Sequence, residues 1–379
     1  MTDAPFPRNL SKNPGCSKIA GSSHPENAPR RQPPLYLSPR GGEHAVPSPS
    51  GERDWVRDRS ATPHERALED GGETAVFEQP AFNLLTVLGP TASGKTRLAV
   101  ALAGELNGEI ISADSRQVFR GMDIGSGKDL HEYGTIPFHL IDILDAGGEF
   151  SVFAFQRLFI EAFESITARG RLPLLCGGTG MYLDAALRGY RLAEVPEDPA
   201  LRAELAPQSD AELAAMLREL RPEQHNGTDL ADRRRTIRAI EIARHERSRT
   251  TAAEPLPAIR PLVIGIRWER TELRRRITER LRQRLGSGMI EEVRGLHDRG
   301  IAWERLDYYG LEYRYAGMLV RGELTRNDMF QKLNSAIHDF AKRQETWFRR
   351  MEKNGVAIHW VDGAGDPLAE ARRIIRTGP

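Results

Sequence analysis

The sequence predicts an α/β fold in which helices cover both faces of a parallel sheet. Three features of the 379-residue chain support this prediction. Short apolar runs alternate with segments of helical periodicity, an order typical of such sheets. A glycine-rich loop joins the first apolar run to the first helical segment, as in phosphate-binding α/β proteins. Hydrophobic residues make up 39% of the chain, which is enough to bury a core.

Residues 1–81 differ in composition from the rest of the chain. They hold 12 of the 24 prolines and few large aliphatic residues. Such a segment cannot bury enough apolar surface to offset the entropy lost on ordering. We therefore predict a disordered extension. It has neither the apolar centre of a secretory signal nor the pattern of a transit helix.

Residues 82–196 carry the first part of the predicted core. Apolar runs of strand length alternate with helical patterns, in the order expected for a parallel sheet. The predicted strands are residues 83–88, 109–112, 139–143 and 172–176, and the predicted helices are residues 95–105 and 152–168.

The strand pattern stops in residues 197–256, where we predict a helical insertion. Residues 257–365 are predicted to continue the core with basic helices, and residues 366–379 to form a tail. The helices of the insertion are expected at residues 211–220 and 232–245. The continued core is expected to contain strands at residues 261–267 and 356–361 and helices at residues 271–285, 289–298 and 328–350.

The formal net charge is only +1, but the charges are unevenly distributed. Residues 233–350 contain 27 Lys and Arg against 16 Asp and Glu. This excess either attracts phosphates or reflects solvated helix faces with charge pairs. Two cysteines, Cys16 and Cys176, are too few for a disulfide framework, and no apolar stretch is long enough to span a membrane. We expect a cytoplasmic protein with no membrane partner.

Residues 89–96 read Gly-Pro-Thr-Ala-Ser-Gly-Lys-Thr and match the phosphate-binding pattern G-x-x-x-x-G-K-[ST]. They lie between a predicted strand and a predicted helix, which is the context that the pattern requires. Backbone N–H groups and the helix N-terminus of such a loop face a phosphate, Lys95 adds a positive charge, and Thr96 can hold Mg²⁺. The motif predicts a P-loop NTPase-like fold and a di- or triphosphate ligand, without indicating which.

Polar residues also follow later predicted strands, at the sheet edge where ligands bind in open α/β folds. Asp114 is positioned like a general base, although an Asp after a strand can also cap a turn. Asp142 is a rival candidate, as an acid beside magnesium. Residues 177–182 form another glycine-rich turn. It either brings Thr179 to a ligand or simply joins a strand to a helix.

Five segments together resemble the tRNA dimethylallyltransferases, also called tRNA isopentenyltransferases. The resemblance spans about residues 84–362, and the second and last segments are more specific than the P-loop. Because the cysteines and histidines of the eukaryotic zinc finger are absent, the resemblance implies a bacterial-type enzyme. The segments are residues 89–96, 112–125, 177–182, 235–241 and 341–349.

The resemblance implies a specific reaction. A dimethylallyl group would pass from dimethylallyl diphosphate to N6 of the adenosine just 3′ of the anticodon, releasing diphosphate. The P-loop and Mg²⁺ would hold the diphosphate, and Asp114 would accept a proton from the N6 amine. The target base would have to be flipped out of its stack. The implied partners are the anticodon stem-loop of tRNA and dimethylallyl diphosphate, and we expect a monomer.

The resemblance also implies roles for individual residues of this chain. The catalytic residues are Asp114, Lys95 and Thr179, and the metal ligand is Thr96. The diphosphate-binding residues are Gly89, Pro90, Thr91, Ala92, Ser93, Gly94, Lys95, Thr96, Arg276 and Arg280. The tRNA-binding residues are Asp114, Ser115, Arg116, Gln117, Thr179, Arg202, Arg234, Arg235 and Arg238.

The chain departs from the family pattern in three places. Residues 125–129 read Gly-Ser-Gly-Lys-Asp where Gly-Thr-Ala-Lys-Pro is usual. Glu312 stands where the family carries a basic residue, and Arg284 stands where Met is usual. These departures concern recognition of the anticodon loop more than prenyl transfer, whose residues match.

Other activities fit parts of the same pattern. An adenylate prenyltransferase acting on free AMP or ATP would share the P-loop and Asp114, but it would not need the helical insertion or the basic C-terminal third. A small-molecule kinase would use Asp114 as its base and would release ADP. A non-catalytic RNA-binding protein would not need a P-loop and a carboxylate at one sheet edge.

Overall fold

The structure is a computed structural model. It describes residues 82–378, apart from residues 190–191, 193–194, 223–231 and 249–255. The disorder predicted for residues 1–81 therefore lies outside the described residues. Among the described helices, none combines the length and the apolar composition needed to cross a bilayer.

A six-stranded parallel sheet forms the centre of the described fold. Its strand order is β4-β2-β6-β1-β7-β8, and β3 pairs with β5 in a separate small parallel sheet. The strands are β1 (Leu84–Leu88), β2 (Gly108–Ala113), β3 (Phe119–Arg120), β4 (Phe138–His139), β5 (Leu144–Asp145), β6 (Leu172–Gly177), β7 (Pro261–Arg267) and β8 (Ile358–Asp362).

Helices connect these strands and extend beyond the sheet. The described α-helices are α1 (Lys95–Glu105), α2 (Val152–Ala168), α3 (Gly180–Leu187), α4 (Pro199–Leu205), α5 (Asp210–Leu220), α6 (Arg233–Ser248), α7 (Arg270–Gly286), α8 (Met289–Asp298), α9 (Trp303–Tyr308), α10 (Leu311–Val320), α11 (Arg326–Lys353) and α12 (Pro367–Thr377).

Helices cover both faces of the sheet. Successive side chains of a strand point to opposite faces, so a strand that is apolar throughout needs cover on both sides. In β1, Leu85 and Val87 pack toward α1 and α12, whereas Leu84 and Leu88 pack toward α2, α3 and the end of α11. Helices α7 to α11 surround a further apolar cluster. Helices α4 to α6 share a small cluster of their own, which includes Leu205. The predicted fold class, a P-loop NTPase-like parallel sheet flanked by helices, is confirmed.

Two predicted elements differ in the structure. The single strand expected at residues 139–143 breaks, because Leu140 and Asp142 have positive φ values of 62° and 55°. The chain leaves the main sheet there and continues into β5. The apolar run resembles a strand because Leu140 and Ile141 are both buried, although in an irregular segment.

The tail expected at residues 366–379 is wrong for most of its length, because Pro367–Thr377 forms helix α12. Asp366 caps its N-terminus by accepting hydrogen bonds from the N–H groups of Leu368 and Ala369. The apolar side of α12 is buried against the sheet, and Arg372 forms an ion pair with Glu105 of α1. The charged residues on the other side of the helix hid this pattern in the sequence.

Candidate active site

Three neighbouring strands end at one edge of the sheet, and their loops carry the predicted motifs. The register places Leu88 of β1 and Ala113 of β2 on either side of Gly177 of β6. The P-loop follows β1, Asp114 follows β2, and Thr179 follows β6. The structure therefore brings together the three motifs that are far apart in the sequence.

The P-loop leads directly into helix α1, so that its residues surround the helix N-terminus. The ammonium group of Lys95 lies 3.5 Å from the carbonyl oxygen of Pro90. Burial lowers the pKa of Lys95, and the negative charge of Asp114 opposes this effect. A desolvated cation beside a helix N-terminus forms a strong site for an anion.

Gln344 of α11 links the P-loop to the loop after β6. Its side-chain oxygen accepts a hydrogen bond from the N–H of Thr91 at 2.9 Å, and its nitrogen donates to the carbonyl of Gly178 at 2.9 Å. The Trp347 ring packs on Gly180 so closely that an added Cβ would lie 2.3 Å from it. We did not predict a functional role for Gln344 from the sequence, although it lies in segment 341–349, one of the two most specific segments of the family resemblance.

Asp114 is held in a fixed orientation by its own loop. Its Oδ1 accepts hydrogen bonds from the N–H groups of Arg116 at 2.8 Å and Gln117 at 3.4 Å. The N–H of the intervening Ser115 donates to the Thr179 hydroxyl at 3.2 Å. One carboxylate oxygen therefore closes the turn, while the group as a whole remains at the wall of a cavity that Lys95 also lines.

This cavity has a volume of about 1240 Å³. Arg276 and Arg280 reach it from helix α7. Gly89, Pro90 and Ser93 are buried in the loop and do not border the cavity. The other residues predicted to bind the diphosphate do border it, namely Thr91, Ala92, Gly94, Lys95, Thr96, Arg276 and Arg280.

Arg276 is fixed beside the P-loop by two contacts. Its Nε donates to the carbonyl of Ala92 at 3.0 Å, and its guanidinium stacks on Trp268, 4.0 Å from the ring centroid. The indole N–H of Trp268 donates to the carbonyl of Ser93 at 3.0 Å. Arg280, one helical turn further on, forms an ion pair with Asp129. Both cations are thus positioned before any ligand binds.

The departures from the family pattern lie together in the wall of the cavity. Arg284 is 3.6 Å from the carboxylate of Glu312 and donates to the carbonyl of Gly125 at 3.3 Å. A Cβ on Gly127 would lie 1.6 Å from the Arg284 guanidinium. The missing side chain at residue 127 therefore makes room for Arg284, and Arg284 balances the acid at residue 312. The three changes are physically linked.

Asp142 is wrong as a candidate magnesium ligand. Its carboxylate forms an ion pair with Lys128, which is only 1% exposed. The same ammonium group donates to the carbonyl of Phe119 at 2.7 Å and to Asp123 at 2.6 Å. A buried charge needs such partners, so Asp142 serves to neutralise Lys128. Asp142 does not border the cavity.

Among the residues predicted to face tRNA after β2, the structure separates Arg116 from Gln117. The Arg116 guanidinium borders the cavity and lies 5.5 Å from the ring centroid of Tyr308. Gln117 also borders the cavity, but its side chain is buried, accepts a hydrogen bond from Ser112 at 2.8 Å and donates to Gly127 at 3.1 Å. Gln117 therefore links three segments of the cavity wall.

The arginines predicted to bind tRNA in the helical insertion also divide into two groups. Arg202 and Arg238 both bond the carboxylate of Glu241, at 2.6 Å and 2.9 Å. Glu241 is buried, so both arginines are structural partners of this carboxylate, and each keeps about a third of its side chain exposed. Arg234 and Arg235 are exposed, and the structure assigns their side chains no partner within the described residues.

Comparisons with known proteins agree with this site. The family model described as IPP transferase matches residues 117–351, and the one described as isopentenyl transferase matches residues 82–142. The chain is 73% identical over 293 residues to tRNA dimethylallyltransferase 2 of Trichlorobacter lovleyi, covering 77% of this chain and 96% of that protein. It is 75% identical over 300 residues to the enzyme of the same name from Pelobacter propionicus, covering 79% of this chain and 96% of that protein.

Solved structures give the same result. The full-length tRNA isopentenylpyrophosphate transferase from Bacillus halodurans matches with 34% identity and a TM-score of 0.57, covering 78% of this chain and 95% of that one. A eukaryotic dimethylallyltransferase acting on tRNA shares the fold at 21% identity, with a TM-score of 0.64 and coverage of 78% of this chain and 80% of that one. The chain therefore belongs to the IPP transferase family, as a bacterial-type member alongside the tRNA dimethylallyltransferases.

Proposed function

We propose that this protein is a tRNA dimethylallyltransferase. It transfers a dimethylallyl group from dimethylallyl diphosphate to N6 of the adenosine 3′ of the anticodon and releases diphosphate. The observation that carries this proposal is the shared cavity, where Asp114 faces the space above a P-loop containing Lys95. The tRNA dimethylallyltransferases that match over three quarters of the chain support the same activity.

The P-loop side of the cavity binds the leaving group. Backbone N–H groups, Lys95 and Arg276 surround the diphosphate and stabilise the negative charge that develops as the carbon–oxygen bond breaks. Thr96 borders the cavity beside Lys95, and its hydroxyl is a suitable ligand for Mg²⁺. Mg²⁺ is commonly held by few protein oxygens together with substrate phosphates, so one threonine fits this role. When bound, Mg²⁺ would neutralise part of the diphosphate charge.

The opposite wall activates the nucleophile. The exocyclic N6 of adenosine forms a bond to the allylic carbon, the bond from that carbon to the diphosphate oxygen breaks, and an N6 proton passes to Asp114. The hydrogen bonds from the N–H groups of Arg116 and Gln117 hold the Asp114 carboxylate in one orientation, so the side chain loses little conformational freedom during the reaction. Thr179 accepts a hydrogen bond from the N–H of Ser115 and so links the loop after β6 to the turn that carries Asp114, beside the position proposed for the adenine.

The tRNA reaches this cavity across basic surfaces. Arg116 lies at the cavity, and Arg234 and Arg235 are exposed on α6. Contacts from such arginines to phosphates supply binding free energy that offsets the cost of flipping the target base. We also propose that the protein acts as a monomer in the cytoplasm.

One experiment tests the proposal directly. The protein is incubated with Mg²⁺, dimethylallyl diphosphate and either unmodified tRNA, AMP or ATP, and the nucleosides are analysed by mass spectrometry. We expect N6-dimethylallyladenosine from tRNA only. Prenylation of AMP or ATP without prenylation of tRNA would indicate an adenylate prenyltransferase, and release of ADP would indicate a kinase.

A further inference from the structure

An exposed aromatic ring lies beside the mouth of the cavity. Tyr308, at the end of α9, is 59% exposed, the largest exposure among the large hydrophobic residues of the described chain. Its neighbours Asp307 and Tyr309 both border the cavity. A single exposed ring is common on protein surfaces, so the position of Tyr308 beside the cavity, and not its exposure alone, makes it a candidate binding residue. The fold does not need this ring for its core, since Leu306 and Tyr309 are the buried residues of this turn.

Two arginines flank the Tyr308 ring without covering it. The guanidinium carbon of Arg116 lies 5.5 Å from the ring centroid, and that of Arg305 lies 5.7 Å from it. Direct stacking brings these groups closer, as in the 4.0 Å contact between Arg276 and Trp268. Tyr308 therefore has two cations over its ring at a distance longer than direct stacking, and 59% of the residue surface remains open to a further planar group.

Tyr308 is on the same side of the molecule as the proposed base. Arg116 directly follows the turn closed by Asp114, and its N–H donates to that carboxylate. Asp114, Arg116 and Tyr308 all act electrostatically on the hydroxyl of Tyr182, which follows Thr179 on α3. Arg116 therefore connects the Asp114 turn to the Tyr308 ring, which places the ring at the Asp114 end of the cavity.

We propose that Tyr308 is a stacking platform for the RNA base that neighbours the modified adenosine, with Arg116 contacting an adjoining phosphate, whereas Arg305 is paired with Glu149 at 3.0 Å. Unstacked bases in RNA loops bind to aromatic rings in this way, and flanking guanidinium groups match the charge of the backbone. When the target adenosine flips out, its neighbour loses one stacking partner. Tyr308 supplies a replacement, so this inference rests on the proposed tRNA modification.

The test compares Tyr308→Ala, Tyr308→Leu and Tyr308→Phe, with an unmodified anticodon stem-loop as substrate. Stacking on an aromatic ring contributes enough affinity that we expect the stem-loop KM to rise about tenfold or more in the Ala and Leu variants. Tyr308→Phe keeps the ring and should restore the KM to within about threefold of wild type. The KM for dimethylallyl diphosphate should stay unchanged in all three, because Tyr308 does not border the P-loop.

Two further measurements make the test specific. Phe138→Ala removes another exposed aromatic residue, on strand β4 and outside the cavity, and should leave the stem-loop KM unchanged. A stem-loop with 2-aminopurine beside the target adenosine should show fluorescence quenching with wild type and Tyr308→Phe, and much less with Tyr308→Leu.

The outcomes separate the two proposals. Wild-type protein that fails to prenylate the stem-loop overturns the proposed function and the platform with it. Wild-type activity with an unchanged stem-loop KM in Tyr308→Leu overturns the platform alone. Equal rises in both KM values, together with lost thermal stability, would assign Tyr308 a structural role instead.

Discussion

The side-chain oxygen of Gln344 accepts a hydrogen bond from the backbone N–H of Thr91 at 2.9 Å. These residues are separated by most of the described chain, and the contact joins the last long helix to the P-loop. Through its nitrogen, Gln344 also holds the carbonyl of Gly178. The side chain is buried, so it sets the distance between the diphosphate loop and the loop that carries Thr179.

We expect Gln344→Leu to lower both stability and activity. It leaves a buried N–H and a buried carbonyl without partners, which costs about 1–3 kcal/mol for each group. Urea unfolding should show this loss, and kcat/KM for dimethylallyl diphosphate should fall by about tenfold or more as the two loops separate. The matched control is Gln331→Leu on the same helix, an exchange of the same kind at an exposed Gln that does not border the cavity. Wild-type kinetics in Gln344→Leu would contradict this role.

The packing of Gly127 against Arg284 predicts that substitutions at the two sites are coupled. Gly127→Ala adds a Cβ at a φ of +64° and in the space of the guanidinium, which should cost about 1–3 kcal/mol of stability. Arg284→Met removes the nearest obstruction, leaving the Arg280 guanidinium 2.8 Å from the added Cβ, and it also deprives Glu312 of its partner cation.

A double-mutant cycle measures this coupling by urea unfolding. The loss in the double variant should be smaller than the sum of the two single losses by about 0.5 kcal/mol or more. The backbone strain at residue 127 is present with either residue at position 284, so it cancels in the cycle. Strictly additive losses would show that Gly127 does not accommodate Arg284.

The lowered pKa of Lys95 predicts how diphosphate binding depends on pH. Burial disfavours the charged ammonium in the free enzyme, whereas a bound diphosphate favours it. Binding should therefore take up a proton when the pH is near or above the lowered pKa, and affinity should fall as pH rises through it. Calorimetry of dimethylallyl diphosphate binding in buffers of different ionisation enthalpy measures this uptake.

Lys95→Met provides the comparison and a stability test. Between the lowered pKa and the ordinary value of 10.5, the unfolded chain binds a proton at Lys95 that the folded chain does not. Stability of the free wild-type enzyme should therefore rise with pH in this window relative to Lys95→Met. The variant should bind diphosphate weakly and without proton uptake. A pH-independent difference in stability between the two proteins would contradict the lowered pKa.

The arginines of the helical insertion should differ in what they contribute. Burial alone would raise the pKa of Glu241, but hydrogen bonds from Arg202 and Arg238 outweigh burial and lower it. Arg202→Ala removes one partner of this buried carboxylate and should cost about 1–3 kcal/mol of stability near neutral pH. That difference should shrink as acid protonates Glu241.

Arg235→Ala should instead weaken tRNA binding without changing stability, because its side chain is exposed. Each lost phosphate contact reduces the slope of log affinity against log salt by about one. Filter binding over a salt series checks this slope, and thermal unfolding compares the two variants. A stable Arg202→Ala protein with weakened tRNA binding would reverse our assignment.

The sequence predicts those parts of the fold and site that depend on local pattern. The apolar run of β1, the P-loop and the helical spacing of α1 require no knowledge of distant residues. Asp114 and Thr179 are predictable because parallel strands end at one edge, which places their following residues together. Family resemblance adds Arg276 and Arg280.

What the sequence does not predict depends on pairings between distant segments. Asp142 has the strand context of a magnesium ligand, and only the fold shows that Lys128 neutralises it. Arg202 and Arg238 were predicted to bind tRNA because of the family resemblance. In the folded chain both side chains donate hydrogen bonds to the carboxylate of Glu241. The hydrogen bond from Thr91 to Gln344 also cannot be predicted from the sequence, because a buried polar residue does not contribute to the hydrophobic periodicity from which buried positions are inferred.

The most direct test of the account is the rate of transfer by Asp114→Asn. Asparagine keeps an oxygen that can accept the N–H of Arg116, so the loop should retain its shape, but it cannot take the N6 proton. We expect kcat for tRNA prenylation to fall by about 10²-fold or more, while the Kd for dimethylallyl diphosphate stays within about threefold of wild type. A kcat near that of wild type would contradict the assignment of Asp114 as the base.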